Sequence, residues 1–266
     1  MADLFHKQAE QYAQARPTYP LSLFTFISSK TPSHHLAWDA GAGNGQATES
    51  IAALYSNVIA TDTSAKQILF APTIPNAIFR QTPPSFSVSD LETYVAPQST
   101  VDLVTVAQAL HWFDLPNFYD LVNAVLKPDG VIAAWCYTTP QIDPRVDLVF
   151  GKFYKIDSAP YWDQQRKLVD DRYASLSFPF EAVDGCDGTG PFEFEADVVM
   201  DLEGFLGYLR SWSAYQTAKE KGVELLNEVV VEEFKEAWRG SGGDERKVVR
   251  FPVYLRIGKV GNGKPE

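Results

Sequence analysis

The residues whose types and spacing speak most directly of chemistry are Asp39-Ala-Gly41-Ala42-Gly43-Asn44-Gly45-Gln46. Three glycines at alternate positions permit a sharp turn and bring bare backbone against a ligand. Asp62 stands 23 residues after Asp39, at the end of the next strand signal. A carboxylate placed there can accept hydrogen bonds from both hydroxyls of a ribose. The glycines alone would also suit a purely structural turn. Taken with Asp39, Asp62 and a strand before and a helix after, they point to a nucleoside-bearing ligand.

A second group is Ala107-Gln108-Ala-Leu-His111-Trp112-Phe113-Asp114. A histidine here could act as a general base, because its ordinary pKa lies near neutrality, or could order the loop by bonding to the chain. Trp112 reads as a pocket wall whose ring face would attract a cation. Arg16 could clamp an acceptor carboxylate bidentately or pair with a local acid to hold a lid shut. Tyr161, Trp212 and Tyr215, within a run of aromatics from Phe150 onward, could line an acceptor pocket or form core. Their abundance favours a flat or apolar acceptor. His6, His34 and His35 lack the spacing of metal ligands, so no metal is expected. Cys136 and Cys186 are too few for a disulfide framework or a thiolate zinc site.

The elements that must position these groups alternate between strand and helix. Strand signals cover 36–40, 57–61, 77–80, 101–106 and 131–135, with helix signals at 46–55, 64–70 and 115–126. Thr63 or Ser64 would cap the second helix. This order predicts a parallel sheet with helices on both faces. Beyond residue 140 the rhythm breaks. Helices are expected near 201–217 and 220–239, and strands at 192–196 and 250–257, where Pro252 favours an edge or a bulge. The expected division is a lid (1–30), a Rossmann-like core (31–140), an inserted cap with a late strand (141–240), and a final strand with a frayed tail (241–266). The expected fold class is α/β, with a seven-stranded mostly parallel sheet.

The 266 residues are 45% apolar and 21% charged, enough to bury a large core. Charge is uneven: residues 1–133 hold 6 Lys/Arg and 11 Asp/Glu, against 17 and 23 in the remainder. The net charge of −11 argues against nucleic acid or an anionic membrane as partner. The opening Met1-Ala-Asp-Leu-Phe-His-Lys has no apolar core, no uncharged run reaches membrane-spanning length, and no Asn-x-Ser/Thr sequon occurs. A cytoplasmic protein, monomeric or weakly dimeric, is the expectation.

The loop spacing selects among nucleosides. The dinucleotide fingerprint G-x-G-x-x-G aims amides at a pyrophosphate, whereas here the spacing is G-x-G-x-G behind an acid. Asp39 would repel a pyrophosphate and suit a cationic amino-acid group. Adenosine joined to a cationic amino acid is S-adenosylmethionine. Asp39–Gly45 with Asp62 resembles motif I of class I S-adenosylmethionine-dependent methyltransferases. Phe5-x-x-x-Ala9-x-x-Tyr12-x-x-x-Arg16-Pro17-x-Tyr19-Pro20, Ala107–Asp114, Leu126-Lys-Pro-Asp-Gly130 and Ser211-Trp212-Ser213 extend the likeness over nearly the whole chain. They are similar to the trans-aconitate-methyltransferase-like branch, and most of all to its plant, embryo-abundant-like members.

The resemblance implies S-adenosylmethionine as cofactor and a small-molecule methyl acceptor. It implies that Gly41, Gly43 and Gly45, with Ala42 and Asn44, surround the methionine part, and that Asp62 and Thr63 meet the ribose. Asp90 and Leu91 would lie near the adenine amine. Ala107 and Gln108 would line the cofactor pocket beside the sulfonium. Tyr12, Arg16 and Tyr19 would belong to a segment closing over the cofactor. Methyl transfer needs alignment more than acid–base machinery, because the leaving group is already activated by its charge. Oxygen or carboxyl methylation is favoured, with nitrogen methylation open. A non-catalytic cofactor-binding protein of the same fold is the alternative.

Overall fold

The computed structural model describes residues 18–240 and 245–261. Tyr12 and Arg16, with most of the expected lid, lie outside the described residues. The chain folds into two compact units. One comprises Tyr19–Thr138, Leu168–Phe194 and the residues from Val253 on, and the other Thr139–Lys167 and Glu195–Pro252. The first unit takes in residues 168–194, which the expected division gave to the cap, and the helix Leu21–Lys30, which it gave to the lid.

The first unit holds α1 (Leu21–Lys30), β1 (Leu36–Ala40), α2 (Thr48–Ala52), β2 (Asn57–Asp62), α3 (Ala65–Leu69), β3 (Ala77–Gln81), α4 (Leu91–Tyr94), β4 (Val101–Ala107), α5 (Leu115–Val125) and β5 (Leu126–Tyr137). Strands β6 (Phe192–Asp201) and β7 (Arg246–Lys259) complete a seven-stranded sheet ordered β3-β2-β1-β4-β5-β7-β6. The pairs β1–β2, β2–β3, β1–β4 and β4–β5 are parallel, and β7 runs antiparallel to β5. The first six residues of β4 are all buried, Asp102 and Thr105 among them, as in a strand covered on both faces. In α5 the buried Phe118, Leu121, Val122 and Val125 form one stripe and join a core with Trp38, Val104, Val106 and Ile132. Each such side chain contributes about 1.5–3 kcal/mol by leaving water.

Strand order sets the site. The chain winds outward from β1 to β3 and returns to pair β4 against β1. The loops leaving β1 and β4 therefore diverge, opening a crevice at their carboxyl ends.

Several boundaries moved. The helix expected over 46–55 is confined to Thr48–Ala52. Ser64 caps α3, its Oγ accepting from Gln67 N at 3.3 Å. Pro252 lies within β7, which sits between two strands and not at an edge. The ladder with β5 begins only at Val253, so the missing N–H costs that ladder nothing.

The second unit contains α6 (Pro144–Lys152), α7 (Arg166–Asp170, which crosses the boundary at its start), α8 (Leu202–Arg210), α9 (Ser213–Glu220) and α10 (Glu228–Gly240). The helix expected over 201–217 is split at Ser211, whose hydroxyl donates to Tyr208 O at 2.7 Å and competes with the helical ladder. The helix expected from 220 starts later, where Asn227 Oδ1 accepts from Val229 N and Val230 N. Phe150, Phe153, Phe205, Trp212 and Phe234 form its aromatic core. No helix among the described residues is long and apolar enough to cross a membrane.

Candidate active site

The loop after β1 is built on backbone that side chains resist. Gly41, Gly43 and Gly45 have φ of 69°, 59° and 91°, the left-handed region. Gly41 N and Ala42 N donate to Thr61 O at 2.8 and 3.0 Å, tying the loop to the end of β2. A Cβ on Gly41 would lie 2.9 Å from Ala109 Cβ, and one on Gly45 would lie 2.8 Å from Phe79 Cζ. A Cβ on Gly43 would meet nothing within 4 Å. Two glycines thus allow close packing, and the third leaves bare backbone facing open space.

Asp62 anchors the loop from β2. Its Oδ2 accepts from Gly43 N and its Oδ1 from Ser64 N, both at 2.8 Å. The carboxylate lines a cavity of about 280 Å³ together with Gly41 and Thr63. Trp38, Phe86, Phe113, Phe118 and Leu121 form apolar walls, and Thr82, Ser85, Asp114 and Asn117 supply polar groups. Asn117 Nδ2 donates to Phe86 O at 3.3 Å and to Ser85 Oγ at 3.4 Å, holding the loop after β3 against α5. No lysine or arginine is among the described lining residues.

Asp39 stands differently from its expectation. It is 0% exposed and is not on the cavity wall. Its Oδ2 accepts from Thr48 Oγ1 at 2.7 Å and its Oδ1 from Thr105 Oγ1 at 2.8 Å. Burial pushes its pKa up to about 6, against the two hydroxyl bonds and with help from the charge of Asp62. Its influence on a ligand is therefore through charge and loop position, not contact with the cavity.

Asp90 also departs from expectation. It is not a lining residue, and it bonds to Ser87, whose N and Oγ both donate to Asp90 Oδ2. Those bonds hold its carboxyl below the usual range. Leu91 is fully buried in the core. The loop after β3 thus offers Thr82, Ser85 and Phe86 to the cavity where the sequence pointed to Asp90 and Leu91. Ala107 ends β4. Gln108 adopts φ 55°, with Oε1 accepting from Tyr137 N at 2.8 Å and Nε2 donating to Tyr137 O at 3.3 Å. This double bond clasps the ends of β4 and β5. Ala42 and Asn44 lie half-buried in the glycine loop.

His111 is only 7% exposed and is not a lining residue, whereas its neighbour Trp112 is 52% exposed and is one. The imidazole Nδ1 is 2.8 Å from Tyr173 Oη, and the ring lies 4.7 Å from the Trp112 ring. That geometry matches the loop-ordering alternative and does not place the imidazole on the cavity wall. Tyr19 packs its ring against Trp135 at 5.4 Å and Phe24 at 6.4 Å. In the second unit Trp212 is buried among aromatics. Tyr215 Oη donates to Glu224, and burial together with that carboxylate pushes the phenol to about 12. Tyr161 lies half-buried beside Lys221. These three belong to the packing of that unit.

The residues present fit S-adenosylmethionine. An acid at the end of β2 suits a ribose, flat apolar walls suit an adenine, and Gly41 brings bare backbone to the cavity wall. The carboxylates of Asp62 and Asp114 on its wall suit a cation and disfavour a pyrophosphate. The comparisons agree. Residues 38–134 match the methyltransferase domain family. A methyltransferase-named protein of Dictyostelium discoideum is 33% identical over 262 residues, covering 97% of this chain and 95% of that one. An S-adenosylmethionine-dependent methyltransferase by name, from Saccharomyces cerevisiae, is 31% identical over 138 residues, 50% of this chain and 47% of that one. Among solved structures, one described as a type II methyltransferase of Anaeromyxobacter dehalogenans superposes with a TM-score of 0.78 at 30% identity, covering 92% of this chain and 98% of that one. A fold, a cavity and a full-length relative converge, and the chain belongs to the S-adenosylmethionine-dependent methyltransferases.

Proposed function

We propose that this enzyme methylates a small molecule, at a hydroxyl or carboxyl oxygen in preference to nitrogen, and that it stands nearest the trans-aconitate-methyltransferase-like branch and its plant members. The observation that carries this reading is the cavity of about 280 Å³ walled by Trp38, Phe86, Phe113 and Phe118, in a chain of net charge −11. A phosphate backbone would find little to bind there.

The cofactor supplies a methyl group bound to a cationic sulfonium. The protein's part is to bind, align and exclude water. Asp62 would hold the ribose hydroxyls, with Thr63 beside it. Phe86 and Phe113 would flank the base, and Ser85 and Asn117 would meet its polar edge. Trp112 would present its face toward the cation. A carboxylate acceptor needs no proton removed before it attacks. For His111 we favour the orienting role: it fixes the turn that carries Trp112. Tyr19 remains an acceptor-side residue of this proposal, while Tyr161, Trp212 and Tyr215 serve the packing of the second unit.

The test is incubation of the enzyme with small-molecule extract and methyl-labelled S-adenosylmethionine, read by mass spectrometry. A labelled low-mass product is expected. Label confined to protein or nucleic acid would overturn the small-molecule reading, and cofactor binding without product would favour a non-catalytic role.

A further inference from the structure

Tyr173 lies 62 residues beyond His111, outside every motif, and is 0% exposed. Its backbone has φ 58°, and Arg172 before it has φ 61°. Two successive non-glycine residues in the left-handed region are held there only by their surroundings. The restraint is visible. Tyr173 N donates to Leu168 O at 2.9 Å, and Arg256 Nη1 donates to Tyr173 O at 2.7 Å. Arg256 is itself buried, on β7. Its guanidinium lies 4.9 Å from the Phe178 ring and also bonds Thr189 O, Thr189 Oγ1 and Leu176 O. Burial lowers its pKa. These partners are carbonyls and a hydroxyl, so the cation serves to gather backbone around residues 173–189.

The purpose of that rigidity is at the far end of the phenol. Tyr173 Oη meets His111 Nδ1 at 2.8 Å, and His111 packs against Trp112 on the cavity wall. His111 and Trp112 share a single three-residue turn between β4 and α5, too short to hold its own geometry. A phenol can donate or accept, and it holds an imidazole without adding charge beside a cationic cofactor.

We propose that Tyr173 is a positioning residue for cofactor binding: anchored by Arg256, it fixes the His111 ring and thereby seats Trp112 on the cavity wall. This rests on the orienting role given to His111 above.

The test compares wild type with Tyr173→Phe, His111→Ala and the double variant. Affinity for S-adenosylmethionine is measured by calorimetry, and the histidine ring signals by NMR. The chain has four histidines, so His111 is assigned by difference. Each single variant is expected to bind about three- to tenfold more weakly, and the double no more than about twofold below His111→Ala, because both break one linkage. Tyr173→Phe should also shift the His111 ring signals. His111→Gln, which keeps a partner for the phenol, should recover most of the affinity when Tyr173 is present and little of it in Tyr173→Phe. This variant carries the test if Tyr173→Phe alone folds poorly. Wild-type affinity in His111→Ala would remove the orienting reading and the inference with it. Weakened His111→Ala beside unaffected Tyr173→Phe, or fully additive losses, would overturn the role of Tyr173 while leaving that of His111 standing.

Discussion

The two ends of the sheet each bury negative charge and treat it in opposite ways. At the amino end, Asp102 on β4 is almost wholly buried. Its Oδ1 accepts from Lys127 Nζ at 2.6 Å and from Ser33 Oγ, and its Oδ2 from His35 N and Leu36 N, both at 2.9 Å. Burial works against its ionisation, but the lysine and these donors prevail and hold its carboxyl below the usual range. At the carboxyl end, Asp39 accepts hydrogen bonds from two threonine hydroxyls, and its pKa rises to about 6. Asp62 beside it is met by two backbone amides. A carboxylate matched by an internal cation stabilises the fold. A carboxylate pair left without one favours a cation from outside, the part that the proposed function gives to the cofactor. The difference separates a structural end from a binding end within one sheet.

The largest expected effect tests the structural end. Asp102→Ala strands Lys127 and two backbone amides, and should lower stability by about 3 kcal/mol in denaturant unfolding. Cofactor affinity measured on the folded variant should stay within about twofold of wild type. A marked loss of affinity would erase the distinction between the ends.

Asp39→Asn addresses the binding end. The folded state holds the Asp39 proton more tightly than an unfolded chain, whose carboxyl titrates near 3.8. The stability of wild type relative to Asp39→Asn should therefore be highest below about pH 4, fall as pH rises through about 6, and level off above it. The change from about 3.8 to about 6 corresponds to about 3 kcal/mol. Unfolding curves across pH 4–8 measure it, and a constant difference would show that Asp39 is not strained by its burial. Added S-adenosylmethionine, being cationic, should narrow the gap above pH 6.

Gly43→Ala is the mildest. Its φ of 59° makes a side chain cost about 1 kcal/mol of stability, while the Cβ meets no protein atom within 4 Å. Cofactor affinity should fall about threefold, because Gly43 N donates to Asp62 Oδ2 and strain at residue 43 disturbs that carboxylate. Unchanged affinity would assign Gly43 to the turn alone.

Much of the sheet was readable in advance. The run Val101–Val106, apolar but for Asp102 and Thr105, reads as a strand, and the helix signal over 115–126 ends at Val125, although the turn-like Lys127-Pro128-Asp129-Gly130 lies within β5. The glycine loop and Asp62 were legible because turn chemistry and strand ends are local properties. Thr82-Pro-Pro-Ser85-Phe86 was not, since a proline turn carries no sign that it faces a ligand. Asp39 was misplaced because an acid before a glycine loop looks the same in sequence whether it points at the cavity or back at Thr48 and Thr105. The pairing of His111 with Tyr173 depends on a contact 62 residues apart, which no spacing or periodicity encodes.

The most direct test of the binding end is a calorimetric titration of wild type and Asp62→Ala with S-adenosylmethionine, with NAD as comparator. Removing charge-assisted bonds of about 1.5–3 kcal/mol each should weaken S-adenosylmethionine at least tenfold without unfolding the chain, while NAD fails to bind either protein. Equal affinity of the two proteins for S-adenosylmethionine, or tighter binding of NAD, would contradict the account.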